Sequence, residues 1–442
     1  MRGYMNNYID IQNGNLRAGT IDIKGYKHSA VTLICASLAL QKKVVLNNVP
    51  NIKDTEVLKN IIRYLGGDVS YYSNKFIIDC RNLKKYKIPQ ELNELIHGSI
   101  YLLPVVLGVM NKIEIGKSGG CKIGEVKDKG ERPILHMIQV LETMGAKFYL
   151  KNDTVYGEWE KFSNTSINIM DFSDDSSELS GSLCSGATKT ALLGAIFCEE
   201  NQIVEIQNPY LKPDVTELIE LLKICGFNIF YDSSIIRISR QRDLVEAPEH
   251  HLISDISEIV TYISLSIYTD TPITLKNVTT DRVKTALKPE LLYLKKMGIN
   301  LIWENSTLHI PLNKCIQPVD INVTCMGIYS DSHPFFTLML TKANGVSTIR
   351  ENVWKNRFSY VDELTKLGLE LNVQDNTVYI HKSDVTTNEN LYPKDLRSTA
   401  VILIAALKSP QKSRLFNVEQ LHRGYEDLIG NLLMLNARIT NL

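Results

Sequence analysis

Six times along its 442 residues the chain repeats one pattern: a strand, a loop ending in a polar residue or proline, an amphipathic helix closing at Leu/Met/Cys-Gly, then two short strands. The first copy runs from Val44-Val45-Leu46-Asn47-Asn48-Val49-Pro50 through a helix to Leu65-Gly66, then Asp68–Tyr72 and Lys75–Asp79. The others cover Ile113–Gly145, Val204–Gly226, Ile273–Gly298, Ser347–Gly368 and Ser413–Asn436, at an average spacing of roughly 70 to 80 residues. The closing glycine predicts a helix end with positive φ, which glycine adopts without a Cβ penalty and Asn436 tolerates next best.

Ahead of each copy stands a second helix, apolar nearly all round: His28–Leu40, Gly98–Val109, Ala187–Cys198, Ser257–Tyr268, Pro334–Lys342 and Ser398–Leu407. A helix of that kind is buried on every side. Strand, buried helix, strand, outer helix and hairpin make a βαβαββ block that cannot close a core alone. Six blocks divide into three plus three, which predicts an α/β (α+β) fold of two domains, each of three βαβαββ units. The expected boundaries are 25–250 for the first, and 1–24 plus 251–442 for the second, with Tyr8–Lys24 completing the second and a cleft between the two. A continuous solenoid fits less well, because its repeats run to about 20–45 residues.

Lys and Arg number 49 and so do Asp and Glu, so net charge offers no broad surface to nucleic acid or an anionic membrane. Any bound anion must meet a local cluster of cations. The longest apolar runs, Ile100–Met110 and Ala400–Leu407, fall short of the roughly 18 to 20 residues of a membrane span. Met1–Asn7 has no basic-then-apolar signal pattern, so a cytoplasmic location is expected. Eight cysteines without CxxC or Cys/His spacing argue against a disulfide framework and a zinc site, and no metal or other cofactor is expected. Most lie in apolar runs. Cys121 lies instead in Ser118-Gly119-Gly120-Cys121-Lys122-Ile123-Gly124, a polar glycine-rich stretch where a thiol is accessible.

The chemistry-bearing residues collect at the starts of the buried helices, where unpaired N–H groups and the helix dipole attract anions. Lys27-His28-Ser29 opens the first, Ser185-Gly186-Ala187-Thr188 the third, and Asp331-Ser332 precedes the fifth; Asp395-Leu396-Arg397-Ser398 opens the sixth. With the loop cations Arg132, Arg357 and Arg423, these helix starts suit a small ligand carrying phosphate and carboxylate groups. Taken singly, Asp331 and Asp395 read equally as helix N-caps, and Cys121 as an incidental loop thiol.

Gly25-Tyr26-Lys27-His28-Ser29-Ala30, Gly119-Gly120-Cys121-Lys122-Ile123-Gly124 with Arg132-Pro133, Asn356-Arg357-Phe358, Asp395-Leu396-Arg397 and Arg423-Gly424-Tyr425-Glu426 together resemble the enolpyruvyl transferases. Among these, the UDP-N-acetylglucosamine 1-carboxyvinyltransferases are more similar than the 5-enolpyruvylshikimate-3-phosphate synthases. The resemblance runs from Gly14 to the chain end and implies two inverted domains of three βαβαββ units, the inside-out barrel of this family. It also implies transfer of the enolpyruvyl group of phosphoenolpyruvate to an alcohol, with release of phosphate and without a metal; a monomer or weak homo-oligomer is expected.

By that resemblance Cys121 is the loop thiol that protonates C3 of phosphoenolpyruvate and that fosfomycin alkylates, and Asp331 is the base near the acceptor hydroxyl. Lys27, Arg132 and Arg423 clamp phosphoenolpyruvate, Arg357 and Arg397 supplement them, and Asp395 pairs nearby. The acceptor, a nucleotide or nucleotide-sugar, is expected against His28, His97, Pro133, Ile134, Leu135, Met137, Ser185, Gly186 and Asp331. Here the chain departs from the UDP-sugar enzymes. Leu135 and Met137 stand where those carry the aspartate and histidine that hold uracil, His28 replaces an asparagine and His97 an arginine. The segment 125–131 is longer and more charged. Apolar groups in place of hydrogen-bonding ones reject the original ligand strongly.

Overall fold

The computed structural model describes residues 8–120, 134–163, 165–172, 181–241 and 244–441. Two compact units divide them: one holds residues 25–120 and 134–253, the other 8–24 and 254–441. Each contains three small sheets, and all six follow one plan. A central strand takes a parallel neighbour on one side and an antiparallel pair of strands on the other. Lys43–Asn47, for example, runs parallel to Glu249–His251 and antiparallel to Lys75–Asp79, with Leu46 opposite Phe76. The same arrangement surrounds Ile203–Gln207, Ile273–Lys276, Ser347–Glu351 and Ser413–Phe416. At Lys112–Ile115 the parallel partner shrinks to a single bridge between Lys87 and Glu114.

Besides the sheet of Lys43–Asn47, two blocks borrow strands from afar. Gly19–Asp22 is the parallel neighbour of Ile273–Lys276, and Tyr8–Gln12 lies between Ser413–Phe416 and Arg438–Thr440. Alternation along these strands sets which side is buried: in Tyr8–Gln12, Ile9 and Ile11 are fully enclosed.

The repeat's helices form where their patterns place them. The buried ones are α1 (Lys27–Ala39), α2 (Leu102–Met110, preceded by a 3₁₀ turn at Gly98–Tyr101), α3 (Gly181–Ala195), α4 (Ile256–Thr269), α5 (His333–Leu340) and α6 (Leu396–Ala406). In one unit α1, α2 and α3 pack on each other; in the other α4, α5 and α6 do. All six expected closing residues have positive φ: Gly66, Gly145, Gly226, Gly298 and Gly368 lie between 77° and 105°, and Asn436 is at 68°. One expectation is corrected here. Helix α3 begins at Gly181, so Ser185, Gly186 and Thr188 lie in its second turn rather than at its start, and their N–H groups face the helix's own carbonyls.

Five of the eight cysteines (Cys35, Cys80, Cys184, Cys198 and Cys225) are buried, and burial pushes the thiols of Cys80 and Cys225 up to about 12, as inert core groups. Among the described residues, no helix is long and apolar enough to cross a membrane.

Where the chain passes between units, a buried acid meets its backbone: Lys24 N–H faces Glu258 Oε2 at 3.4 Å. Burial, then the neighbouring Asp255, push the Glu258 pKa up to about 8, against the hydrogen bond from Lys24. The folded protein therefore holds a proton that the unfolded chain releases near the ordinary carboxylate value. The stabilising contribution is full below about pH 4.5 and is lost as pH rises toward 8, at about 1.4 kcal/mol per unit. Thermal unfolding of Glu258→Gln is expected to lack this slope and to exceed the parent's stability at pH 8. Parallel pH curves for the two proteins refute the assignment.

Candidate active site

The sequence-predicted residues fall into two sets, one in each unit. In the unit of residues 254–441, Asp331 precedes α5 and accepts on both carboxylate oxygens: Arg357 Nη2 donates to Oδ1, and Arg397 Nε donates to Oδ2 at 3.0 Å. Both guanidiniums are almost wholly enclosed, with Arg357 at 6% and Arg397 at 3% exposure. Asp331 is a quarter exposed, so this carboxylate is the wet end of a buried cationic pair.

Arg397 is aimed by its helix cap. Asp395 Oδ1 accepts from the N–H groups of Arg397 and Ser398, both at 3.0 Å, and Oδ2 from the hydroxyls of Ser398 and Ser359 at 2.6 and 2.8 Å. Asp395 is therefore a capping residue that orients the helix start, its pairing being with the N–H groups and hydroxyls around that start. Arg397 Nη1 donates to the Tyr425 hydroxyl at 3.0 Å, and that hydroxyl lies 2.7 Å from Thr261 Oγ1. Burial opposes the charge on Arg397, but Tyr425 and Asp331 outweigh it and its pKa is raised. Its remaining nitrogen, Nη2, is buried without a hydrogen-bond partner among the described residues. Arg423 ends a 3₁₀ turn at Val418–Arg423 and is likewise buried.

In the other unit Lys27 is the first residue of α1, its Nζ 3.0 Å from Asp54 Oδ1. The adjacent His28 ring lies against Tyr26. The Asp214 carboxylate pairs with Lys189 of α3 at 2.5 Å. Both partners are buried, Lys189 Nζ sits over the Tyr101 ring at 4.4 Å, and Ser185 Oγ is 3.5 Å from Asp214. Burial disfavours the Asp214 carboxylate, but Lys189 more than compensates and holds its pKa down. His97 Nδ1 lies 3.3 Å from Ser118 Oγ.

Ile134 is half-buried and Leu135 exposed, while Met137 is 1% exposed in the core of its unit. Met137 faces inward from the helix Leu135–Thr143, so its place as an acceptor contact is withdrawn. The polar residue of that turn is His136, missed in the sequence because it sits one position from the expected frame. A Cβ on Gly186 would lie 2.2 Å from its Nε2, so the ring packs against a helix face kept bare. Cys121, Arg132 and Pro133 lie outside the described residues.

Known proteins resemble the chain over nearly its whole length. Residues 11–432 match the family described as EPSP synthase (3-phosphoshikimate 1-carboxyvinyltransferase). The chain belongs to the EPSP synthase family of enolpyruvyl transferases. The enolpyruvyl transferase NikO from Streptomyces tendae is similar in structure, with TM-score 0.90 and 30% identity over 98% of each chain. UDP-N-acetylglucosamine 1-carboxyvinyltransferase 3 of Caldanaerobacter subterraneus subsp. tengcongensis is 29% identical over 98% of each chain. The corresponding enzyme of Campylobacter jejuni is 28% identical over 98% of this chain and 99% of its own. EPSP synthase from Acinetobacter baumannii, at 13% identity and TM-score 0.71, shares the fold.

Proposed function

We propose that this enolpyruvyl transferase moves the enolpyruvyl group of phosphoenolpyruvate to a hydroxyl of a UDP-sugar, in the cytoplasm, with release of phosphate. The observation that carries the reading is Asp331 held between two buried guanidiniums, one with a further nitrogen, Arg397 Nη2, buried and unpaired among the described residues. A substrate with phosphate and carboxylate groups supplies the anions that such an array accepts. In the proposed roles Lys27, Arg132, Arg357, Arg397 and Arg423 bind phosphoenolpyruvate, Asp331 takes the acceptor's hydroxyl proton, and Cys121 delivers a proton to C3. The acceptor oxygen bonds to C2, and the resulting tetrahedral ketal loses phosphate and a C3 proton. Fixed cations stabilise the charge that develops on phosphate as it leaves.

A second reading, transfer to another nucleotide, is favoured by the exposed Leu135 and the buried Met137 in the stretch that holds uracil in the UDP-sugar enzymes. His28, His97 and Ile134 remain the proposed acceptor contacts in either case. Phosphate release is to be measured with phosphoenolpyruvate and a panel of UDP-sugars, nucleoside monophosphates and nucleoside diphosphates. Turnover with a UDP-sugar supports the first reading, and turnover confined to other nucleotides replaces it with the second. Cys121→Ser is expected to lower turnover by roughly 10²–10⁴-fold, the range of a lost proton donor, and to abolish fosfomycin alkylation read by mass spectrometry. Unchanged turnover removes the thiol from the mechanism.

A further inference from the structure

The backbone that carries Asp331 is gripped by two buried glutamates. Glu290, fully enclosed, accepts from Tyr329 N–H at 2.7 Å and from Ser332 Oγ at 3.1 Å. Glu351, the last residue of strand Ser347–Glu351 and 1% exposed, accepts on Oε1 from the N–H groups of Val353 and Trp354 at 2.7 and 3.1 Å. Its Oε2 accepts from Ser330 Oγ at 2.6 Å and lies 3.4 Å from Nε2 of the fully buried His333. Both neighbours of Asp331 in sequence are thus tied to buried carboxylates.

The protons in this network can be counted. Thr337 Oγ1 donates to the His333 carbonyl at 3.1 Å, so the Tyr360 hydroxyl, 2.8 Å away, donates to Thr337 and accepts from His333 Nδ1 at 3.2 Å. A neutral imidazole bonded in this way turns a bare Nε2 toward Glu351 Oε2, 3.4 Å away and without a hydrogen-bond partner among the described residues, and a lone pair facing a carboxylate at that distance favours a proton on the acid. Burial acts in the same sense on both groups: it drives the His333 pKa well down, helped by Arg357 and opposed by Asp331, and raises that of Glu351. A charged Glu351 would draw on Arg357, the guanidinium that holds Asp331; an uncharged one leaves Arg357 to Asp331 and to substrate.

We propose that Glu351 and His333 are positioning residues for Asp331, a neutral buried pair that fixes the aspartate through Ser330 on one side and the start of α5 on the other. The inference rests on the reading of Asp331 as the base. Ser330→Ala is the mild variant, and Ser330→Thr its conservative counterpart. Ser330→Ala is expected to lower kcat about tenfold with no rise in KM for phosphoenolpyruvate, because a small displacement of a reacting group costs rate more than binding. Ser330→Thr restores kcat, Glu351→Gln keeps it within about threefold because its amide donates to Ser330 Oγ and the pairing persists with its direction reversed, and Glu351→Ala loses it.

Folded variants Ser330→Ala and Glu351→Ala with parental kcat overturn the proposal, as does collapse of Glu351→Gln while it melts like the parent. If the parent protein releases no phosphate with any acceptor, the functional reading fails by itself. The positioning claim is then read by calorimetric titration with phosphoenolpyruvate and with inorganic phosphate. A loosened Asp331 competes less for Arg357 and Arg397, so Ser330→Ala is expected to bind anion about threefold tighter or more, and unaltered affinity refutes the claim.

Discussion

Arg397→Met is expected to lower kcat/KM for phosphoenolpyruvate roughly a thousandfold, the upper end of what one preorganised donor supplies. Three features set this size. The side chain is 3% exposed, so solvent does not substitute for its charge. It donates from Nε to Asp331 and from Nη1 to Tyr425, which fixes the plane of the guanidinium. Its Nη2 remains buried and unpaired among the described residues, and an anion is the partner that completes it.

Methionine keeps most of the stem's packing, and Asp331 retains Arg357, so a loss of stability of only about 1–2 kcal/mol is expected. Arg397→Lys separates charge from shape: a single ammonium cannot span both partners, so an intermediate loss of about a hundredfold is expected with near-parental melting. Steady-state kinetics with thermal melting decides the matter. Arg397→Met with a parental kcat/KM removes this residue from the anion site.

Asp331→Asn is expected to fall about 10³-fold in kcat while binding phosphoenolpyruvate more tightly. In the present structure the aspartate occupies Arg357 and Arg397 as an internal anion. A ligand carboxylate or phosphate must compete with it, so the same side chain that serves as base also weakens ground-state binding. Asparagine removes base and competitor together. It leaves two buried cations without a counter-ion, so the variant melts lower than the parent and is raised more by phosphoenolpyruvate. Ligand-dependent melting and single-turnover phosphate release measure the two halves independently. Weaker phosphoenolpyruvate binding in this variant contradicts the competition described here.

Much of the architecture was written in local pattern. Each closing Gly, and Asn436 in the last copy, marked a helix end because one left-handed residue is needed there, and the helices apolar on all sides marked their own burial. The start of α3 was not legible: Gly181-Ser182-Leu183-Cys184 carries no cap-and-acid signal, while Ser185-Gly186-Ala187-Thr188 resembles one. Asp331, Arg357 and Arg397 were readable as chemistry, and the direct pairing of all three required the fold.

Glu351 and Lys189 were missed for a shared reason. A charged residue in a strand or helix reads as solvent-facing, and only distant partners, Ser330 with His333 for one and Asp214 with Tyr101 for the other, make its burial tolerable. Asp395 shows the reverse case, a conspicuous carboxylate whose whole hydrogen-bonding capacity goes to a helix start and a neighbouring serine.

The borrowed strands impose an order on biosynthesis. The sheet around Lys43–Asn47 gains its edge only when Glu249–His251 has been made, and Tyr8–Gln12 gains its two neighbours only when Ser413–Phe416 and Arg438–Thr440 emerge. On the ribosome the residues of one unit are therefore complete while the opening strands of the other stay unpaired for most of translation. Tyr8–Gln12, made some four hundred residues before its neighbours, is among the last segments to find its place.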